Sequence, residues 1–122
     1  MAKILISEPH PDVRRLLARM VLQLGHEPFL LDAPTPEAFL GADVFLVEPA
    51  APIGAVLAKA AELIAPALPI VFVTVGAPSE LDIDPVCQVV KPFRATQLGD
   101  AIDRALNRRR RGGCSQAPQA CP

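Results

Sequence analysis

Five short apolar runs alternate along the chain with longer stretches whose apolar residues recur at helical spacing. Lys3 to Ser7 is continuously apolar between its ends and rich in β-branched residues, the pattern of a strand covered on both faces. Pro11 suits the first turn of a helix, and Val13, Leu16, Leu17, Met20, Val21 and Leu24 then fall on one helical face. Gly25 stands where a left-handed cap closes that helix. Phe29 to Leu31 is the second predicted strand, with Pro28 at its start as on an edge strand. Thr35-Pro36-Glu37 predicts a capped second helix of only one or two turns before Gly41. Asp43 to Val47 is the third strand. Ile53, Val56, Leu57, Ala60 and Ile64 mark the face of a third helix that ends near Ala65, ahead of Pro66.

Ile70 to Val75 and Cys87 to Val90 are the fourth and fifth strands. The connection from Gly76 to Val86 is short and contains Pro78 and Pro85, so it predicts a single turn or a loop carrying Glu80, Asp82 and Asp84 into solvent. Thr96 is placed to cap the last helix, whose inward face is Leu98, Ala101, Ile102, Ala105 and Leu106. Strands alternating with helices imply right-handed crossovers and a parallel sheet with helices on both faces. Any site then lies at the carboxyl ends of the strands.

At 122 residues, 51% hydrophobic and 20% charged, the chain has the size and balance of one globular domain. Residues 1–111 are expected to form it, and 112–122, without periodicity, to be a disordered tail. No apolar run approaches the ~20 residues of a membrane span, and the opening run is too short for a signal peptide, which points to a cytoplasmic protein. The net charge of -1 hides an asymmetry: Arg108 to Arg111 are clustered, while every acidic residue precedes Asn107. Cys87 is expected to be a buried strand residue. Cys114 and Cys121 lie in the tail, and a reducing cytosol argues against a disulfide framework. Two tail cysteines without a nearby His do not make a zinc site, and no metal or other cofactor is expected.

Polar residues close four of these runs: Glu8, Glu48, Thr74 and Lys91, the last followed by Pro92-Phe93. Their order and spacing resemble the receiver domain of two-component response regulators. The resemblance covers roughly residues 3 to 107. The opening from Lys3 through Ser7-Glu8-Pro9-His10-Pro11-Asp12-Val13-Arg14-Arg15-Leu16-Leu17 is similar to a receiver's first strand and helix, where two adjacent acids usually follow the strand. Val44 to Pro52 is similar to the third-strand segment, in which an acceptor Asp precedes a Pro by four residues. The resemblance implies an α/β, flavodoxin-like, doubly wound five-stranded parallel sheet of order 2-1-3-4-5, with a short second helix and a short or missing fourth.

In that register Glu8 takes the first acidic position and Pro9 the second, which in the family is a direct Mg²⁺ ligand. Glu48 stands for the phosphoryl acceptor, and Thr74 and Lys91 match the residues that contact phosphate. Gln88 replaces the aromatic that swings inward on activation. Proline offers no carboxylate to Mg²⁺. A glutamate carboxylate sits one carbon–carbon bond, ~1.5 Å, deeper than an aspartate's. Two readings of Glu48 stay open: a direct pair with Lys91 that imitates a phosphorylated pocket, or a salt bridge in which Glu48 and Glu8 merely keep Lys91 satisfied, with no further role. His10 is expected to be exposed at a helix start and His26 structural; neither Ser7 nor Thr74 has a paired base for nucleophilic catalysis.

The resemblance implies a non-enzymatic, stand-alone signalling module that docks a protein partner of a signalling pathway without phosphorylation. Its expected contact surface comprises Glu80, Asp82, Asp84, Arg104 and Arg108, and a dimer through the face from the fourth strand to the last helix is a further expectation. Two alternatives remain. Arg104 and Arg108 to Arg111 could bind nucleic acid or an acidic partner, although the acidic body and the absence of Trp and Tyr disfavour nucleic acid. The pocket could also retain a response to an anion or a phosphoryl group.

Overall fold

The computed structural model describes residues 1–76, 81–110 and 119–120. Its elements follow in the order β1 (Lys3–Ser7), α1 (Pro11–Gln23), β2 (Glu27–Leu30), α2 (Pro36–Gly41), β3 (Val44–Val47), α3 (Pro52–Ile64), β4 (Ile70–Thr74), β5 (Cys87–Val90) and α4 (Ala95–Arg110). The strands form a parallel sheet in the order β2-β1-β3-β4-β5, as expected. Gln119–Ala120 adds a two-residue strand, β6, parallel to β5, where five strands were expected. The rest of the expected tail, and Glu80, lie outside the described residues.

The sheet separates two apolar layers. On one side α1 and α4 close over Ile4, Ile6, Leu17, Val21, Leu46, Val71, Leu98 and Ile102. On the other, α2 and α3 cover Leu5, Phe39, Phe45, Leu57, Ala61, Ile70 and Phe72, with the Phe39 and Phe45 rings tilted at 57° and 5.7 Å apart. The central strands β3 and β4 are buried along their whole length, which is why they read as unbroken apolar runs. Residues 81–86, where a further helix would stand, are not helical, and Asp82 and Asp84 are exposed there. Among the described residues no helix is long and apolar enough to cross a membrane.

Several local expectations are corrected. Strands β2, β3 and β4 begin or end a residue or two away from their apolar runs. Gly25 does take up the left-handed conformation just past α1, at φ 87°. Leu16 and Leu24, however, are partly exposed on the rim of that helix, and only Leu17 and Val21 are buried. Thr35 precedes α2, but its hydroxyl donates to the Ala33 carbonyl at 3.2 Å and caps no helical N–H. Thr96 lies inside α4, not at its cap: the Gln97 side chain instead accepts from the Arg94 N–H at 2.7 Å, the reciprocal half of a capping box.

The larger correction concerns α3. Periodicity assigned Ile53, Val56, Leu57, Ala60 and Ile64 to its inward face, yet the buried residues are Gly54, Leu57, Ala58 and Ala61. Ile53 is 40% and Val56 54% exposed. The small residues let the helix axis approach the sheet closely, and apolar side chains on almost every side left the direction of burial undetermined by pattern. Cys87 is fully buried as expected, but it is disulfide-bonded, where no disulfide framework was expected.

Candidate functional site

Register delivers the polar residues to one end of the sheet. Ser7 is level with Val47 across the β1–β3 ladder, so Glu8 and Glu48 emerge side by side at the carboxyl ends of neighbouring strands. Thr74 is level with Val90, so Lys91 emerges just beyond β5, beside the end of β4. Three strand spacings of ~4.8 Å, roughly 14 Å of sheet, separate the backbones of Lys91 and Glu8, so only long side chains meet. Backbone bonds brace the ends: the Glu48 N–H donates to the Ser7 carbonyl at 3.1 Å and the Lys91 N–H to the Thr74 carbonyl at 3.1 Å. The Lys91-Pro92 peptide is cis.

The Lys91 ammonium donates to Glu8 Oε1 at 2.5 Å and to Glu48 Oε1 at 3.2 Å. The outer carboxylate oxygens are held by backbone. Glu8 Oε2 accepts from the His10 N–H at 3.1 Å, and Glu48 Oε2 accepts from the Ala50 N–H at 3.4 Å. Both glutamates are buried, while Lys91 keeps 18% of its side chain exposed. Burial alone would push the Lys91 ammonium down, but hydrogen bonds and charge from Glu8 and Glu48 outweigh it and hold the lysine above its ordinary value of 10.5. The cluster thus carries two carboxylates against one ammonium.

Thr74 is fully buried, and its hydroxyl is engaged locally: it donates to the Gly76 carbonyl and accepts from the Gly76 N–H, both at 3.2 Å. Pro9 is exposed beside the cluster, and Gln88 is half-buried on β5. His10 is exposed at the start of α1, as expected from sequence, and His26 accepts the Ala2 N–H at 3.1 Å, a structural role.

The residues proposed as a contact surface are not gathered at this end. Asp84 and Arg108 line a groove of about 500 Å³ together with Glu62, Pro66, Ile70 and Val86. That groove lies at the amino ends of β4 and β5, across the sheet from Lys91. The Asp82 carbonyl accepts from Lys59 at 3.0 Å, tying the loop before β5 to α3, and Arg104 lies half-buried on α4.

Sequence reasoning missed Gly54. A Cβ at that position would lie 1.8 Å from the Glu48 carbonyl oxygen, so the first turn of α3 rests directly on the backbone that carries Glu48. A glycine inside a helical pattern was the available signal for such an approach. The backbone donors of His10 and Ala50 left no signal in side-chain identity.

The receiver resemblance implies Mg²⁺ beside the acceptor position, and the residues here do not fit that ion. Mg²⁺ demands near-octahedral oxygen ligands, whereas here the Lys91 ammonium already bridges the two carboxylates, with proline in place of a further acid.

No protein-family profile matches the chain, and no curated protein does either. Solved structures do. The signal receiver domain of a modulated diguanylate cyclase from Desulfovibrio desulfuricans G20 superposes with a TM-score of 0.77 at 21% identity, over 92% of this chain and 98% of that one. The receiver domain of the sensor histidine kinase PA1611 from Pseudomonas aeruginosa PAO1, solved with a magnesium ion in its active-site cleft, gives 0.75 at 18% identity, over 87% and 98%. A response regulator receiver domain protein from Clostridium thermocellum gives 0.73 at 20% identity, over 90% and 98%. With its strand order, crossovers and site at the carboxyl ends of the strands, the chain has the fold of response-regulator receiver domains.

Proposed function

We propose that this chain is a receiver-type signalling module that acts by protein–protein contact and does not depend on phosphorylation, with Glu48 in the place of the phosphoacceptor aspartate. One observation carries the reading: Lys91, the cation that would meet an incoming phosphoryl group, is already bonded to Glu8 and Glu48. A phosphoryl group would have to displace one carboxylate and enter beside the other, against like charge and without a metal to offset it. Both Glu48 oxygens are engaged, Oε1 by the Lys91 ammonium and Oε2 by the Ala50 N–H. The module is non-enzymatic on this reading, needs no cofactor and works in the cytoplasm.

Of the two readings of Glu48, its bond to Lys91 supports a pair that imitates a phosphorylated pocket, and the additional bond from Lys91 to Glu8 supports a salt bridge in which both glutamates satisfy the lysine. The partner is a protein of a signalling pathway. Asp82, Asp84, Arg104 and Arg108, with Glu80, are the contact residues to test first.

The test is an amide NMR titration with Mg²⁺ and beryllofluoride, a phosphoryl mimic, following Glu8, Glu48, Thr74 and Lys91. Unchanged spectra are expected. Saturable shifts at these residues that spread through 76–90 would mean that the site still switches and would overturn the proposal.

A further inference from the structure

Cys87 is closed to solvent, at 0% exposure, in the core layer it shares with Val89, Leu98, Ala101 and Ala105, and it is disulfide-bonded. The chain has three cysteines, so a bond within it reaches Cys114 or Cys121, which lie outside the described residues. These two positions bracket β6 in sequence. Strand β6 lies parallel to β5 at the edge of the sheet, with Gln119 level with Cys87 and Ala120 level with Gln88. The cross-link and the ladder therefore start from the same residue. Two residues make a ladder well short of the ~5–6 of an ordinary strand, so it adds little stability by itself. A covalent tie removes much of the entropy that a C-terminal segment loses on pairing there.

We propose that Cys87 is a reversible redox site, whose disulfide holds β6 on β5 and whose reduction frees the edge of the sheet. A dithiol supplies the two electrons and two protons: one of its thiolates attacks a sulfur of the bond to give a mixed disulfide, and its second thiol displaces the first sulfur. The reductant leaves as a disulfide, and Cys87 and its partner remain as thiols. Without β6 the outer backbone groups along Cys87 and Gln88 lose their ladder, and β5 becomes the open edge of a five-stranded sheet. In a reducing compartment the open form is the resting one, and a disulfide oxidant closes it by the reverse exchange. The switch is independent of the Lys91 cluster, which lies past the other end of β5.

The full chain is compared after oxidation with oxidised glutathione and after reduction with dithiothreitol, by mass mapping of a non-reduced digest and by amide hydrogen exchange. The oxidised chain is expected to carry a cross-link from Cys87 to Cys114 or Cys121. On reduction, exchange at 87–88 and 119–120 is expected to rise at least about tenfold, while β1 and β3 keep their protection. Of the variants Cys114→Ser and Cys121→Ser, the one that removes the bonded cysteine is expected to exchange rapidly under both conditions, and the other to keep the redox response. An oxidised chain with no cross-link from Cys87 within the chain overturns the inference. So does equal exchange at β5 and β6 in both states, or a loosening that spreads to β1 and β3, which would make the bond a staple of the core.

Discussion

Lys91 lies nearer to Glu8, at 2.5 Å, than to Glu48, at 3.2 Å, although Glu8 is the more distant of the two along the sheet. The first acid after β1 thus shares the lysine with the residue after β3. Glu8 is also the more deeply buried, with 2% of its side chain exposed against 10% for Glu48, so the pair it forms is the better shielded from water.

Removing the cation leaves two buried carboxylates facing each other. Lys91→Met is expected to lower stability by about 3 kcal/mol in urea denaturation, the low end for breaking a buried pair because Lys91 keeps some exposure. Combining it with Glu8→Gln and Glu48→Gln removes the uncompensated charge and should recover most of that loss. A triple variant as unstable as the single one would mean that packing of the lysine stem, and not charge, holds the ends of the strands.

The lysine also sets a pH window. Its ammonium is raised above 10.5 in the folded chain, so the folded state binds the proton more tightly than the unfolded state does. The cluster's contribution is complete below about 10.5, the unfolded value, and is lost as pH rises through the higher folded value. The stability advantage of the wild type over Lys91→Met is therefore expected to be flat near neutrality and to shrink on the alkaline side. An advantage that disappears in mild acid would assign the contribution elsewhere.

Restoring the carboxylates of a Mg²⁺ site tests the opposite direction. Pro9→Asp with Glu48→Asp supplies a second acid beside Glu8 and withdraws the long arm from Lys91. The double variant is expected to show Mg²⁺-dependent beryllofluoride shifts in NMR spectra where the wild type shows none. Failure to gain them would place the block in the wider architecture of the site, such as the Gly76-held hydroxyl of Thr74.

Gly54→Ala drives a Cβ into the Glu48 carbonyl, a backbone atom that cannot rotate away. The expected loss is about 1–3 kcal/mol, read from the urea midpoint, accompanied by amide shifts at Glu48 and Ala50. Gly25→Ala makes a contrasting control. Nothing lies within 4 Å of its added methyl, so only the positive φ is penalised, by about 1 kcal/mol, with no change at the cluster. Similar spectral effects from both would contradict the close approach of α3 to Glu48.

The chain's own pattern was sufficient for the sheet. Unbroken apolar runs such as Val44 to Val47 occur only where both faces are covered, and alternation with helices leaves few topologies besides a parallel, doubly wound one. It also located the polar strand ends, because a residue that follows a buried strand must face the rim. Pattern alone determined neither the outward face of α3 nor the partner of Lys91. The first needs a directional contrast that an almost wholly apolar helix lacks, and the sheet resolved it by drawing in the small residues Gly54, Ala58 and Ala61. The second depends on which side chains cross three strands. That choice, together with the turning of Thr74 toward Gly76, was decided by tertiary distances and backbone donors that no residue type encodes.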